Sequence, residues 1–303
     1  MALRILLLGR NGQVGWELAR ILGAACELTA TDRAEVDLAD ISQVRDAVRR
    51  IRPQVIINAA AYSNVEKAES EPELAHKVNA LAPAVLAEEA KKLRAVLIHY
   101  STDYVFDGTK HSPYVETDAA NPLNEYGRSK LEGERGIQQT GASFLILRTS
   151  WVYSLRTHSF VTKFLGWAQN NPQVRVVTDQ ISNPTWCRPL AEATAELIRQ
   201  MGGDPAAWMG EREGMYHVAG GGHVSRYEMA CRILELLPHG FPLQARSVAP
   251  ACTVDFHDAA KRPPFSALDS SLFTRTFGIV LPAWDASLKA AFADHFHTNP
   301  SIS

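Results

Sequence analysis

Tyr126 and Lys130 stand four residues apart in the run NEYGRSKLEGE, residues 124–134. On a helix that spacing stacks a phenol and an ammonium on one face. A neighbouring cation favours phenolate over phenol, so it draws a tyrosine pKa of about 10 towards neutrality. A tyrosine tuned in this way can give or take a proton at a carbonyl or carbinol carbon. The same spacing also describes an exposed helix with a half-buried tyrosine and a snorkelling lysine. The surrounding chain has to decide between these readings.

The elements that would position the pair follow from hydrophobic periodicity. Apolar runs at Arg4–Leu8, Glu27–Thr31, Val55–Asn58, Val96–Ser101 and Phe144–Arg148 predict strands. Helical segments alternate with them: Gln13–Leu22, a capped helix from Asp40 to Ile51, a stretch from about Pro72 to Leu93, and the Tyr126 helix. This rhythm predicts an α/β fold, a Rossmann-type doubly wound parallel sheet with a smaller C-terminal substrate-binding α/β lobe. The expected division is a dinucleotide-binding domain over residues 1–150, rejoined by later segments, and a mainly substrate-binding lobe over 151–303. In the second part the spacing predicts helices at Ser159–Asn170, Leu190–Met201 and Asp285–Phe296 and a strand at Val174–Val177. A capping box is expected at Ser225–Glu228, an irregular proline-rich stretch over 238–264, and a frayed tail to Ser303.

Gly9, Gly12 and Gly15 fall between the first strand and the first helix, in GRNGQVG. There glycines permit a tight turn and bring a pyrophosphate close to a helix N-terminus, so Gly9, Asn11, Gly12, Gln13 and Val14 are cofactor candidates. A purely structural turn is the alternative. Asp32 ends the second strand, where a carboxylate would bind ribose hydroxyls and disfavour the 2′-phosphate of NADP. Arg33 follows at once and would instead pair with that phosphate, so NADPH and NADH both stay open. Asp37 and Leu38 would flank the adenine or form a plain loop. Ala59, Ala60 and Ala61 leave room for a cofactor across the strand ends, or for close helix packing. Thr102, ending the fourth strand, could donate to a substrate carbonyl opposite Tyr126, or cap a turn.

Composition bounds the partners. The 303 residues carry a formal net charge of −2 and no long basic run, which argues against nucleic acid and acidic membranes. The four scattered cysteines show no metal-ligand spacing and suit a reducing cytosol. The N-terminal apolar run is too short for a signal peptide, and no stretch approaches a membrane span, so a cytoplasmic protein is expected.

With these residues assembled, the chain resembles the extended short-chain dehydrogenase/reductase superfamily and, within it, the dTDP-4-dehydrorhamnose reductase family. The carrying strings are GRNGQVGWE (9–17), IHYSTDYVFD (98–107), RTSWVY (148–153), Asp179-Gln180 with Pro184-Thr185, and Arg262-Pro263 leading to Leu268-Asp269. The resemblance implies an enzyme that uses NADPH or NADH to reduce the C4 ketone of dTDP-4-dehydro-L-rhamnose, in the synthesis of deoxysugar precursors of surface polysaccharides. It implies Thr102, Tyr126 and Lys130 as the catalytic set. It adds Tyr62, Ser63 and Tyr100 to the cofactor side, with Lys130 also bonding the nicotinamide ribose, and Thr102, Asp103 and Trp151 to the sugar. Trp151 read from position alone could equally be a core residue. Arg262 could clamp the nucleotide diphosphate or be a loop arginine. His99 reads as a core histidine. Some family members use magnesium, but no acidic cluster assigns a metal here. A homodimer is compatible with this reading.

The chain departs from the family pattern at Ser182-Asn183 and at Phe265, both on the nucleotide-sugar side. Two alternatives therefore stand beside the reductase. One is another nucleotide-sugar reductase or epimerase. The other is a non-catalytic cofactor-binding subunit resembling the regulatory subunit of methionine adenosyltransferase.

Overall fold

The computed structural model describes residues 2–298. Five strands alternate with helices along the first half: β1 (Arg4–Leu8), β2 (Glu27–Thr31), β3 (Val55–Asn58), β4 (Val96–Thr102) and β5 (Ser143–Thr149). With Gly214–His217 they form a six-stranded parallel sheet in the order Gly214–His217, β5, β4, β3, β1, β2. Every residue of β3 and β4 is buried. That explains their near-continuous apolar sequences, because both faces of a parallel sheet are covered. The order reverses between β1 and β3, so the carboxyl ends of those strands open a crevice where such folds take ligands.

Two apolar layers clamp this sheet. On one side Leu6, Leu8, Ile56 and Leu97 pack against Val44, Val48, Leu86 and Ala90 of the helices Ile41–Ile51 and Ala82–Leu93. On the other, Ile5, Leu7, Val55 and Ile98 meet Leu18 of Gln13–Leu22, Leu190 and Leu197 of Cys187–Met201, and Phe273 and Phe277 of Ser271–Phe277. That face of the sheet is therefore covered in part by helices from late in the chain. A separate core joins Tyr153, Phe164, Val174, Val224, Ile233 and Phe292 in the C-terminal lobe, around the parallel pair Gln173–Val177 and Ser247–Ala251.

Several boundaries differ from expectation. The stretch 72–93 is broken by a π-turn at Lys77–Leu81 between the helices Pro72–His76 and Ala82–Leu93, and a short helix Val65–Ser70 precedes it. Inside the proline-rich segment, Ser247–Ala251 is a strand, because it finds Gln173–Val177 as a partner. The helix expected at Leu190 starts at Cys187, and the last begins at Trp284. At Asp40 only half a capping box forms. Its carboxylate accepts from the Ser42 and Gln43 amides, while the Gln43 side chain donates to that carboxylate and accepts from the Asp37 amide, not from the Asp40 amide. Ser225 and Glu228 make the full box.

Candidate active site

The turn after β1 is tight because its residues are glycines. Gly9 holds φ of +88°, and a Cβ on Gly15 would lie 2.0 Å from the Gly9 carbonyl. The turn forms one wall of a cavity of about 710 Å³ that runs along the strand ends to Tyr126 and Lys130. Gly9, Asn11, Gly12, Gln13, Val14, Asp32, Arg33, Asp37 and Leu38 line one end of it. Ala59, Ala60, Ala61, Tyr62, Ser63 and Tyr100 line the middle and far wall with the Tyr126–Lys130 pair. Two polar side-chain atoms on this wall, Gln13 Oε1 and Thr149 Oγ1, are buried with no partner in the protein. Unpaired buried acceptors and donors beside a glycine turn suit a polar, elongated ligand such as a dinucleotide.

Asp32 is not a bare carboxylate. It accepts from the Ala34 amide at 2.9 Å, from Arg10 at 3.0 Å and from Asn11 at 2.8 Å. These bonds, Ala34 foremost, hold its pKa below the usual carboxylate range. Arg33 pairs with Asp37 at 3.3 Å. Arg10, which sequence reading passed over, therefore stands beside Asp32 just outside the cavity lining, with Arg33 on the lining itself.

Thr102 closes β4. It takes the turn-capping form expected of it, accepting from the Tyr104 amide at 3.2 Å, it donates to Asp103 at 3.2 Å, and its side chain lies against the Tyr126 phenol. Tyr126 sits on the helix Glu125–Thr140, capped by Asn124 on the Gly127 amide at 2.8 Å. Gly127 lets that helix press against the end of β4, since a Cβ there would meet the Tyr104 carbonyl at 2.2 Å. Burial raises the Tyr126 pKa above the ordinary range, and the Thr102 bond only partly offsets it. This corrects the expectation of a tyrosine drawn down by its lysine. Lys130 is itself buried, is lowered to about 8 by burial, and donates to the Tyr100 carbonyl at 2.7 Å.

The remaining candidates lie beyond the cavity lining. Asp103 is buried and takes hydrogen bonds from Ser266 at 2.5 Å and Ser182 at 3.2 Å, with Thr102 at 3.2 Å. Burial raises it to about 6 against those bonds. Ser182, one of the departures, thus bears directly on Asp103, whereas Asn183 braces backbone at Gly222 and Leu268. Trp151 has φ of +40°, a strained value for a bulky residue, and one face of its indole carries the Arg226 guanidinium at 3.5 Å. A sugar could stack only on the other face. Arg262 lies outside the cavity lining and pairs with Glu66 and Asp258.

Sequence reading also missed several supports. Asn79 in the π-turn bonds the Tyr62 amide at 2.9 Å, the Tyr62 carbonyl at 3.0 Å and Ser129 Oγ at 3.0 Å, tying the cavity wall to the Tyr126 helix. Arg148 pairs with Glu134 inside the protein at 2.6 Å, and Ser101 donates to Glu134. Arg156, from the lobe, donates to the Asn11 and Gly12 carbonyls and covers Trp16 at 4.9 Å. None of these has a spacing signal, because each joins segments far apart in the chain. Among the described residues, no group of three or more His, Cys, Asp or Glu could hold a metal. None of the described helices is long and apolar enough to cross a membrane.

A switch-point cavity with a glycine turn at one end and Tyr126 and Lys130 on its wall, backed by Thr102, defines a Rossmann-type oxidoreductase of the extended short-chain dehydrogenase/reductase class. Residues 3–296 match the family model described as RmlD substrate binding domain. The chain is 39% identical over 301 residues to dTDP-4-dehydrorhamnose reductase of Escherichia coli K12, covering 98% of this chain and 99% of that one. A Burkholderia thailandensis reductase of the same name is 39% identical over 285 residues, covering 93% and 95%. The crystal structure of the Bacillus anthracis dTDP-4-dehydrorhamnose reductase in complex with NADP superposes with a TM-score of 0.87 at 32% identity, covering 97% of this chain and 100% of that one. A Thermus thermophilus UDP-glucose 4-epimerase with NAD shares the fold alone, at 21% identity and a TM-score of 0.76. The chain belongs to the dTDP-4-dehydrorhamnose reductase family.

Proposed function

We propose that the protein reduces the C4 ketone of dTDP-4-dehydro-L-rhamnose to dTDP-L-rhamnose with NADPH or NADH. The observation that carries this reading is the placement of Tyr126 and Lys130 on the wall of the cavity that begins at the glycine turn, with the Thr102 side chain against the Tyr126 phenol. The nicotinamide cofactor, when bound, supplies a hydride to the ketone carbon. The developing alkoxide is then what must be stabilised. Tyr126 donates its phenolic proton to that oxygen, and Thr102 is the second donor. The phenol carries its proton at neutral pH, the form an acid needs, and burial works against its release. Lys130 stands on the same helix face as Tyr126 and lines the cavity, where it would reach the ribose.

Gly12, Gln13 and Val14 would cradle the pyrophosphate. Arg10 and Arg33 would accept a 2′-phosphate, while Asp32, already neutralised by Arg10 and Asn11, would still take ribose hydroxyls. This supports use of both cofactors. Asp103 and the free face of Trp151 would meet the sugar. Residues up to about 150, with the helices and strand that return to them, would hold the cofactor, and the C-terminal lobe the nucleotide sugar. Four unpaired cysteines suit a cytoplasmic enzyme.

The test is cofactor oxidation with dTDP-4-dehydro-L-rhamnose, followed by the absorbance of the reduced nicotinamide. Tyr126→Phe should bind cofactor as before and lose about a hundredfold or more in kcat. Near-wild-type turnover by that variant would remove Tyr126 from the reaction. Tight cofactor binding with no oxidation by the unaltered protein would favour a regulatory subunit instead.

A further inference from the structure

Behind the cavity wall runs a buried chain of four polar groups. The Ala60 amide donates to Asn58 Oδ1 at 3.2 Å. Asn58 Nδ2 faces His99 Nδ1 at 3.1 Å, and His99 Nε2 faces Lys130 Nζ at 3.1 Å. Asn58 and His99 are in register on neighbouring strands, and both are fully buried. No water reaches them to repair a mismatch.

The donors and acceptors fix where the protons lie. A backbone amide can only donate, so the Ala60 N–H holds the Asn58 oxygen towards itself and turns Nδ2 towards His99. His99 Nδ1 must then accept, which places the single imidazole proton on Nε2, pointing at Lys130. An ammonium at Nζ would meet that N–H donor to donor. Moving the proton to Nδ1 sets it against Asn58 Nδ2. Flipping the amide sets Nδ2 against the Ala60 N–H. Every arrangement with a charged lysine and a neutral histidine leaves one buried clash, and a neutral amine leaves none. An imidazolium is excluded by burial and by the lysine beside it.

We propose that His99, oriented by Asn58, is a positioning residue that sets whether Lys130 carries its proton. The other groups facing Lys130 do not reproduce this. The Tyr100 carbonyl accepts from either form, and Tyr126 lies one turn away on the same helix. Glu134 favours the ammonium, but Arg148 already pairs with it. In catalytic terms, which rest on the reductase reading, the lysine beside Tyr126 is held ready to release a proton near neutral pH and is not a fixed charge.

The test uses the full-length protein. In His99→Gln the amide can turn its oxygen to Lys130 and accept from the ammonium. The Lys130 side chain, followed by ¹⁵N NMR, should then titrate about half a unit higher or more, a roughly threefold change in proton affinity. The high-pH limb of kcat should move up with it. An unchanged midpoint in a folded variant would overturn the proposal. So would a wild-type His99 whose ring ¹⁵N shifts place the proton on Nδ1, a measurement that needs no variant. Neither NMR readout depends on turnover, so a chain inactive towards the ketone would sink the reductase reading separately.

Discussion

An alkoxide that develops in a buried site is stabilised by every donor aimed at it. Thr102 stands against the Tyr126 phenol and donates to Asp103 at 3.2 Å, so in the proposed reaction it would turn its hydroxyl to the developing alkoxide. Thr102→Val should therefore lower kcat by about a hundredfold while cofactor affinity, read by fluorescence titration, stays within error. The residues of this set were legible in sequence because each carries its own local signal: a four-residue spacing, or a hydroxyl at a strand end. The partners that tune them were not. His99 reaches Lys130, and Ser182 and Ser266 reach Asp103, only through strand register and loop closure. Trp151 was foreseen at the sugar, yet its Arg226 plate came from a helix 75 residues later, beyond any spacing rule.

Elements position these groups by touching closely. The Tyr126 helix seats against β4 through Gly127, so Gly127→Ala should displace it. We expect a fall in kcat with a lowered Tm, whereas an alanine at Gly166, whose Cβ would meet open space on the helix Phe160–Asn170, should leave kcat unchanged and hold or raise Tm. The helices Ile41–Ile51 and Ala82–Leu93 are bound across their packed faces by Glu89, which takes Arg45 at 2.9 Å, Arg49 at 2.9 Å and Lys92 at 2.8 Å. These bonds, Arg49 first, lower Glu89 to about 2. A carboxylate depressed on folding stabilises above its unfolded pKa of about 4.5 and loses that contribution as pH falls towards 2. Glu89→Gln should thus cost roughly 1–3 kcal/mol at neutral pH, and urea midpoints should show a flatter dependence over that acid window. Strands and most helices were readable from periodicity. The π-turn at Lys77–Leu81 was not, because one extra residue in a turn leaves the apolar pattern nearly intact, and it is the insertion that aims Asn79 at Tyr62.

At the scale of the whole molecule, Arg156 reaches from the lobe to the carbonyls of the glycine turn. Arg156→Ala should loosen that contact and raise the Kd for cofactor several-fold without altering the fold, as measured by isothermal titration against near-ultraviolet circular dichroism. Parallel sheet and crevice were foreseeable from strand–helix alternation, but the partners of the outer sheet face were not. Leu190, Leu197, Phe273 and Phe277 cover Ile5, Leu7 and Val55 from the far side of the sequence, and Gly214–His217 closes the edge beside β5. This interleaving bears on how the protein could be recombined. A crossover after β5 would hand one parent's sheet to another parent's helices, so every apolar contact across it would have to match. Exchanging sugar specificity between relatives by a single splice should yield insoluble chimaeras, while grafting short segments around Ser182 and Phe265 leaves the shared face untouched.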